Sequence, residues 1–516
     1  MRFHLRNLPH LYRDAVIIGA ALLAAVAPRA YAEQPSVLSS AVIVGSTVYP
    51  APRLFSVYGS RLGRPLTPAQ AAAVTTELTS LYVRDGYSQP QLQVDERLLA
   101  AGILRIQVFE PRFTRVAFTG DAGPYAARLQ ALGERVRASV PVRPAEVQSA
   151  LQAMRALPGL SIDLATAQDE VVRNGFVLTV KSSFRTTDGL VRVSNRGSHE
   201  IGPVFVDGQI VTNGLLGHQE KLGLIFTAAT QFAEYHAVGA LADLPVSDRG
   251  AHVSVLGFQS WSEPDQNPSL DDSYRRSLGV LRFVQPLWSS GASSLSVSGG
   301  LDVDNQTTDR EGATLRDDRL RVADLTAQSV WSAGSTSQYA ASLEVRQGLR
   351  GLGAGLMAAD LVPDLRRDDF LISRIRLSQL TALGTRWSLR LDAVAQFSGY
   401  VLPYSEQLKI GGEVLGRGFE VTQVSGDKGV DARAELRRDL AVPMTFGNIA
   451  FYSYYDYGVV TNQDGSGSDC AAVAGAGLSL LKGAWTGYAE ITQPLIHPDV
   501  DGSRSPRIFV EIAARF

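Results

Sequence analysis

Apolar and polar residues alternate over long stretches of the last two thirds of the chain. Leu295, Val297, Leu301 and Val303 interleave with Ser296, Ser298, Asp302 and Asp304. Trp387, Leu389, Leu391, Ala393, Ala395 and Phe397 interleave with Ser388, Arg390, Asp392, Gln396 and Ser398, and Leu371, Ile375 and Leu377 alternate with Arg374 and Arg376. Side chains along a strand point to two faces in turn, so each run predicts a strand with one apolar and one wet face. The chain ends the same way: Ile508, Val510, Ile512, Ala514 and Phe516 share one face, and Arg507, Glu511 and Arg515 the other. Such strands suit a wall between lipid and a wet lumen. A soluble β-sandwich gives the same periodicity by hiding its apolar face against a second sheet. Length separates the two. About 20 residues per strand and connection over residues 184–516 make roughly 16 strands, unwieldy for a sandwich and ordinary for a transmembrane barrel. Trp261 to Asp272, Asn305 to Asp318 and Asn462 to Asp469 read as long polar loops, and Val246 to Gly250 as a short turn.

Residues 37–183 mix helical and strand periods. Val42 to Val44 reads as a strand, and Thr67 and Pro68 open a helix as N-cap and first helical residue. That helix runs through Ala71 to Val83 and stops at Asp85-Gly86, before strands over Gln91 to Val94 and Gly102 to Glu110. The order recurs: a strand over Arg115 to Phe118, helices over Tyr125 to Ser139 and Pro144 to Leu157, a break at Pro158-Gly159, and strands near Leu160 to Leu164 and Gly175 to Val180. The period switches from 3.6 to 2 in each half, which predicts two small α/β modules of strand-helix-helix-strand-strand layout.

The start of the chain adds a destination. Arg2, Arg6 and Arg13 precede the apolar run Ala15 to Ala27, and Ala30-Tyr31-Ala32 fits a small-x-small cleavage site. The run is about a dozen residues, against about 20 for a bilayer span, so residues 1–32 read as an export signal. No later segment is apolar and long enough for a transmembrane helix. Removing Arg2, Arg6, Arg13, Arg29 and Asp14 from 49 basic and 51 acidic residues leaves 45 and 50, a net of −5, with no basic surplus for nucleic acid. The single Cys, Cys470, permits no internal disulfide. Together these features place the mature chain in the periplasm or outer membrane.

Several words in the modules carry a family resemblance: Gly45-Ser46-Thr47, Gly63-Arg64-Pro65-Leu66-Thr67, Tyr82-Val83-Arg84-Asp85-Gly86-Tyr87, Gly102-Ile103-Leu104-Arg105-Ile106 and Leu157-Pro158-Gly159. In this order they resemble POTRA domains, the periplasmic modules of outer-membrane transporters. Further on, Leu402 to Glu420 contains Gly411-Gly412 and Gly416-Arg417-Gly418-Phe419. This is similar to the lumen loop of the superfamily that joins POTRA domains to a 16-stranded barrel. There the loop arginine meets an acidic residue in an aromatic-x-Asp-x-Gly motif on the wall, and Tyr454-Tyr455-Asp456-Tyr457-Gly458 matches that motif. The resemblance implies an Arg417–Asp456 pair, with Tyr454 and Gly458 as its wall neighbours. Gly416 departs from the β-branched Val usual before the arginine, which bears on the local backbone of the loop.

Two modules, rather than three or five, favour the TpsB branch, the haemolysin secretion/activation proteins. Val193 to Ser198, Gly202, Asn213 to Gly217 and Leu244-Pro245-Val246 look like that family's early barrel. The expected plan is a signal peptide over 1–32, POTRA modules over 37–111 and 112–183, and a 16-stranded antiparallel transmembrane β-barrel over 184–516. The resemblance implies a translocator that captures an unfolded TpsA-like exoprotein in the periplasm and passes it to the cell surface. The other partners are outer-membrane lipid and the barrel-assembly machinery, with Phe516 as the C-terminal barrel signal. TpsB proteins commonly carry an N-terminal plug helix. Glu33 to Ser40 are too few to span a lumen of about 30 Å at roughly 1.5 Å per residue, so none is expected here. A barrel-assembly factor of the same superfamily is the alternative function. No enzyme, cofactor or metal is expected: His-Glu-x-x-His and Gly-x-Ser-x-Gly are absent, Gly351 to Gly355 lacks the lysine of a phosphate loop, and His218 and His236 read as polar barrel positions.

Overall fold

The computed structural model describes residues 36–247, 250–264, 272–290, 293–359, 364–420, 423–496 and 504–516. The expected signal peptide over 1–32, and residues 33–35 on which the plug expectation partly rests, lie outside the described residues. In the first α/β module, strand Ser40–Val44 pairs in parallel with Ile103–Phe109, and Gln91–Val94 completes a three-stranded sheet. Helix Pro68–Arg84 begins where the hydroxyl of Thr67 accepts the Gln70 N–H at 3.2 Å. It buries Ala71, Val74, Leu78, Leu81 and Tyr82, spaced three and four apart on one face. Gly86 ends it at φ +83°, with the Tyr87 N–H donating back to the Tyr82 carbonyl. A further helix, Ala51–Tyr58, was not evident in the sequence and buries only Leu54 and Val57.

The second module repeats the plan more fully. Strand Gly175–Phe184 lies between Arg112–Gly120, parallel to it, and Leu160–Gln168, antiparallel. Helices Ala126–Ala138 and Pro144–Arg155 cover the sheet with Leu129, Leu132, Val136, Leu151 and Met154.

From Thr187 onward the chain forms one closed antiparallel barrel of 16 strands. They are Thr187–Ser194, Phe205–Asn213, Lys221–Ala229, His236–Pro245, His252–Ser262, Asp272–Ser290, Ser293–Arg310, Ala313–Ala333, Ser337–Gly348, Leu371–Ala382, Trp387–Ser398, Lys428–Asp439, Asn448–Thr461, Ser468–Lys482, Trp485–Ile496 and Arg507–Arg515. The first and last pair through Leu190–Ser194 and Glu511–Arg515, and reciprocal backbone bonds between Gly189 and Phe516 extend the seam. Ile508, Val510, Ile512 and Phe516 face outward, whereas Phe509 and Ala513 are buried on the lumen side. Gly189 leaves room for the Phe516 ring, since a Cβ there would lie 2.2 Å from its Cζ.

One expected loop is absent. Asn305 to Asp318 are not irregular: strands seven and eight continue through them to a tight turn at Glu311-Gly312, where Gly312 has φ +79°. Cross-strand charges stabilise this polar extension. Arg310 grips Asp272 at 2.6 and 2.8 Å, and Arg276 grips Asp304 at 3.0 and 2.9 Å. Short strand Gly355–Ala358 adds to the same extension against Arg316–Arg319.

Only two residues separate the second module's central strand from the first barrel strand, and the joint is tight. The Asn213 side-chain amide donates to the Arg185 carbonyl and to Asp188, both at 3.0 Å, and Arg185 N–H donates to Gly159 at 2.8 Å. Gly214, at φ +64°, passes under the buried Tyr125 ring, where a Cβ would lie 2.8 Å from the hydroxyl. Burial, and then the Glu220 carboxylate, push the Tyr125 phenol up to about 12. Gly214→Val therefore meets both backbone strain and a clash, a cost of about 1–3 kcal/mol. It is expected to loosen the joint, read as several-fold faster tryptic cleavage at Arg185 with the barrel intact.

Candidate functional site: the lumen loop and its wall

The connection between strands eleven and twelve, residues 399–427, folds back into the barrel. Its neck is tied by buried polar groups. Gln396, fully buried, donates to the carbonyls of Glu406 and Asp427 at 3.0 and 3.2 Å. The Asp427 carboxylate accepts from Leu402 N–H, Gln407 and Gln463 N–H at 2.9, 3.1 and 2.7 Å. Arg346 on strand nine holds Glu406 in a bidentate grip, both bonds 2.9 Å. Below the neck, Leu408–Ile410 and Val424–Gly426 form a small antiparallel ribbon.

The tip is built from glycines. Gly411, Gly412 and Gly416 all have positive φ, at +139°, +93° and +63°. A Cβ on Gly416 would lie 2.6 Å from Cγ2 of Ile410, and one on Gly418 would lie 2.4 Å from Cγ2 of Val473. The departure from Val at 416 thus matches a left-handed backbone that a β-branched residue adopts only under strain. Phe419 is buried with Ile410, Val424, Val460, Val473 and Tyr454. Gly458 on the wall makes space for this packing, since a Cβ there would lie 2.4 Å from Cδ1 of Ile410.

The wall takes the loop differently from the expected Arg417–Asp456 ion pair. Asp456 accepts the Gly416 N–H at 2.8 Å, and its carboxylate is paired with Arg433 at 3.1 and 2.7 Å. Arg433 stands directly opposite Asp456 in the register of strands twelve and thirteen, so the wall neutralises its own acid before the loop arrives. Arg417 reaches Glu435 at 3.2 Å and Glu490 at 3.6 Å, with its guanidinium 5.0 Å from the Tyr454 ring centroid. Glu490, 3% exposed, accepts the hydroxyls of Tyr452 and Tyr454 at 2.8 and 3.2 Å. Tyr454 is therefore flanked by both arginines and hydrogen-bonded to the carboxylate that Arg417 approaches.

Arg433, Glu435 and Glu490 were missed in the sequence. The signal was the alternation Asp431-Ala432-Arg433-Ala434-Glu435, which puts three ionisable side chains on the face that receives Asp456. Beside the loop, a lumen cavity of about 670 Å³ is lined by Arg374, Arg376, Arg390, Arg417 and Arg433 among others. The arrangement is suited to holding a loop across a wet passage.

Arg433→Ala would leave Asp456 buried without its cation, and a broken buried pair costs about 3–5 kcal/mol. The folded barrel is expected to lose its heat resistance, seen as a lower temperature for the shift in gel mobility. Gly416→Val is expected to keep that temperature within a few degrees of the parent while exposing the loop to protease.

Comparisons with known proteins agree with this architecture. The family model described as haemolysin secretion/activation protein ShlB/FhaC/HecB matches residues 272–480. The outer membrane transporter CdiB of Escherichia coli is 25% identical over 517 aligned residues, covering 94% of this chain and 84% of the relative. The solved structure of CdiB from Escherichia coli superposes with a TM-score of 0.77 at 22% identity, covering 95% of this chain and 93% of the other. That of CdiB from Acinetobacter baumannii gives 0.67 at 16% identity, over 93% and 90%. With two N-terminal α/β modules, a closed 16-stranded barrel and a glycine-rich loop docked in its lumen, the chain is similar to the haemolysin secretion/activation proteins, the TpsB transporters of two-partner secretion.

Proposed function

We propose that this protein captures an unfolded exported partner in the periplasm and passes it through its barrel to the cell surface. The observation that carries this reading is the union of two POTRA-type modules with a closed barrel whose lumen holds a loop on non-covalent contacts alone. Sixteen strands enclose a water-filled interior wider than side chains can fill, and a loop held by hydrogen bonds and ion pairs is able to leave it. Each module offers an edge to an extended chain. In the second module, Leu160–Gln168 is an edge strand with Asp163, Ala165 and Ala167 exposed. Strand addition at such an edge draws affinity from backbone bonds and demands little of the partner's sequence. The partner is thus a secreted exoprotein whose N-terminal secretion domain is recognised in extended form. The outward apolar face takes outer-membrane lipid, and Phe516 ends the segment that presents the barrel to the assembly machinery. Passage through a lumen needs no active-site chemistry, in keeping with a transporter.

The deciding experiment is the surface and extracellular protein profile with the gene intact and deleted. Loss of one large protein from the exterior is expected. An unchanged exterior with many outer-membrane barrels depleted would instead assign the chain to barrel assembly. Arg417→Ala is expected to give a folded, membrane-inserted barrel with export of that partner reduced; normal export would remove the loop arginine from the mechanism.

A further inference from the structure

Arg196 lies just past the end of the first barrel strand, outside the loop and its wall motif, and its side chain is only 8% exposed. One nitrogen donates to the backbone carbonyl of Arg417 at 3.1 Å. The others reach the Glu490 carboxylate and the Tyr488 hydroxyl on strand fifteen. The guanidinium also sits 4.2 Å from the ring centroid of Phe509 on strand sixteen. Four points of attachment thus converge on one planar cation: the loop backbone, a buried acid shared with Arg417, and two aromatic residues of the closing strands.

The position of Arg196 is fixed by the seam. The register ends at Ser194, the Asn195 backbone N–H still donates to the Val510 carbonyl at 3.2 Å, and the Asn195 side chain adds two further bonds to the last strand. Its amide donates to the Ile508 carbonyl at 3.0 Å, and its oxygen accepts the Val510 N–H at 2.7 Å. Arg196 shares the parity of Ser194, which is buried on the lumen side, and so points inward. We infer that Arg196 is a positioning residue for the lumen loop, holding the Arg417 backbone directly from the seam between first and last strands. A charged donor on a buried carbonyl is among the stronger single hydrogen bonds available. Because Glu490 serves both arginines, removing Arg196 also weakens the site into which the Arg417 side chain docks.

The inference rests on the reading of the loop as a movable occluding element, and its test requires no exported partner. Leu415, partly buried against the apolar cluster of the loop, is replaced by Cys in a Cys470→Ser background. Labelling by a membrane-impermeant maleimide is timed on purified protein in detergent, with heat-dependent gel mobility reporting the folded barrel. Arg196→Ala is expected to speed labelling by about ten-fold or more, the shift that loss of one charged hydrogen bond produces. Arg196→Lys keeps the charge but cannot bridge carbonyl, carboxylate and phenol together, and is expected to fall between the two. An unchanged rate in a folded Arg196→Ala barrel overturns the inference. Should that variant not fold, Arg196→Lys decides, and parental labelling by it overturns the inference equally.

A second arm separates direct holding from opening of the seam. Val191 and Ala514 are registered partners across it, and Val191→Cys with Ala514→Cys locks the seam as a disulfide. Faster labelling of Arg196→Ala must persist in the locked barrel. If the lock abolishes it, loop exposure follows from seam opening and the direct role is wrong. Either result leaves the translocator assignment to stand or fall on the secretion profile.

Discussion

In hydrocarbon an unpaired backbone N–H or C=O has no water to turn to, and each one costs several kcal/mol. That constraint shapes most of this molecule. It forces the sheet to close on itself, so the first strand must find the last across nearly the whole length of the domain. It also leaves no edge facing lipid, and the even strand count brings both ends of the barrel to the side of the second α/β module. The seam is the delicate point, because the register there covers only Leu190–Ser194 and Glu511–Arg515. The terminal Phe516 and the Asn195 side chain each add backbone-like bonds at one end of it. Closure is extended past the register by main-chain bonds of Gly189, Phe516 and Asn195 and by the Asn195 side chain.

Inside the barrel the opposite condition holds, and charge becomes the means of positioning. Buried acids such as Asp456, Glu490 and Asp427 would be costly alone. Each is given partners from more than one element: a wall arginine and a loop N–H for Asp456, tyrosines and arginines for Glu490, three donors for Asp427. The loop is held at its neck by Gln396, Asp427 and the Arg346–Glu406 pair, and at its tip by Asp456, Glu490 and the buried Phe419.

Much of this architecture was legible in the sequence because period-2 alternation is enforced wherever a strand separates lipid from water. Trp387–Ser398 was bounded correctly by that pattern alone, and the length of the strand-rich region at about 20 residues per strand and connection led to the number of strands. The loop was recognisable because its glycines are dictated by backbone geometry. What could not be read was cross-strand register. Arg433 lies 23 positions from Asp456 yet stands opposite it, and only the pairing of strands twelve and thirteen reveals that the acid already has a cation. Asn305 to Asp318 misled for a related reason. A polar run suggests a loop when read singly, whereas facing runs of complementary charge extend a hairpin into water. The helix Ala51–Tyr58 was hidden because it buries just two side chains.

The loop leaves strand eleven and returns to strand twelve at the barrel end opposite the second α/β module, and its tip docks part-way down the wall. Its two fixed points are therefore both on the outer rim, and its free end lies upstream of them. A flap anchored in this way turns about its neck, so a displacement of the tip is a rotation about the outer rim and not a lateral slide along the wall.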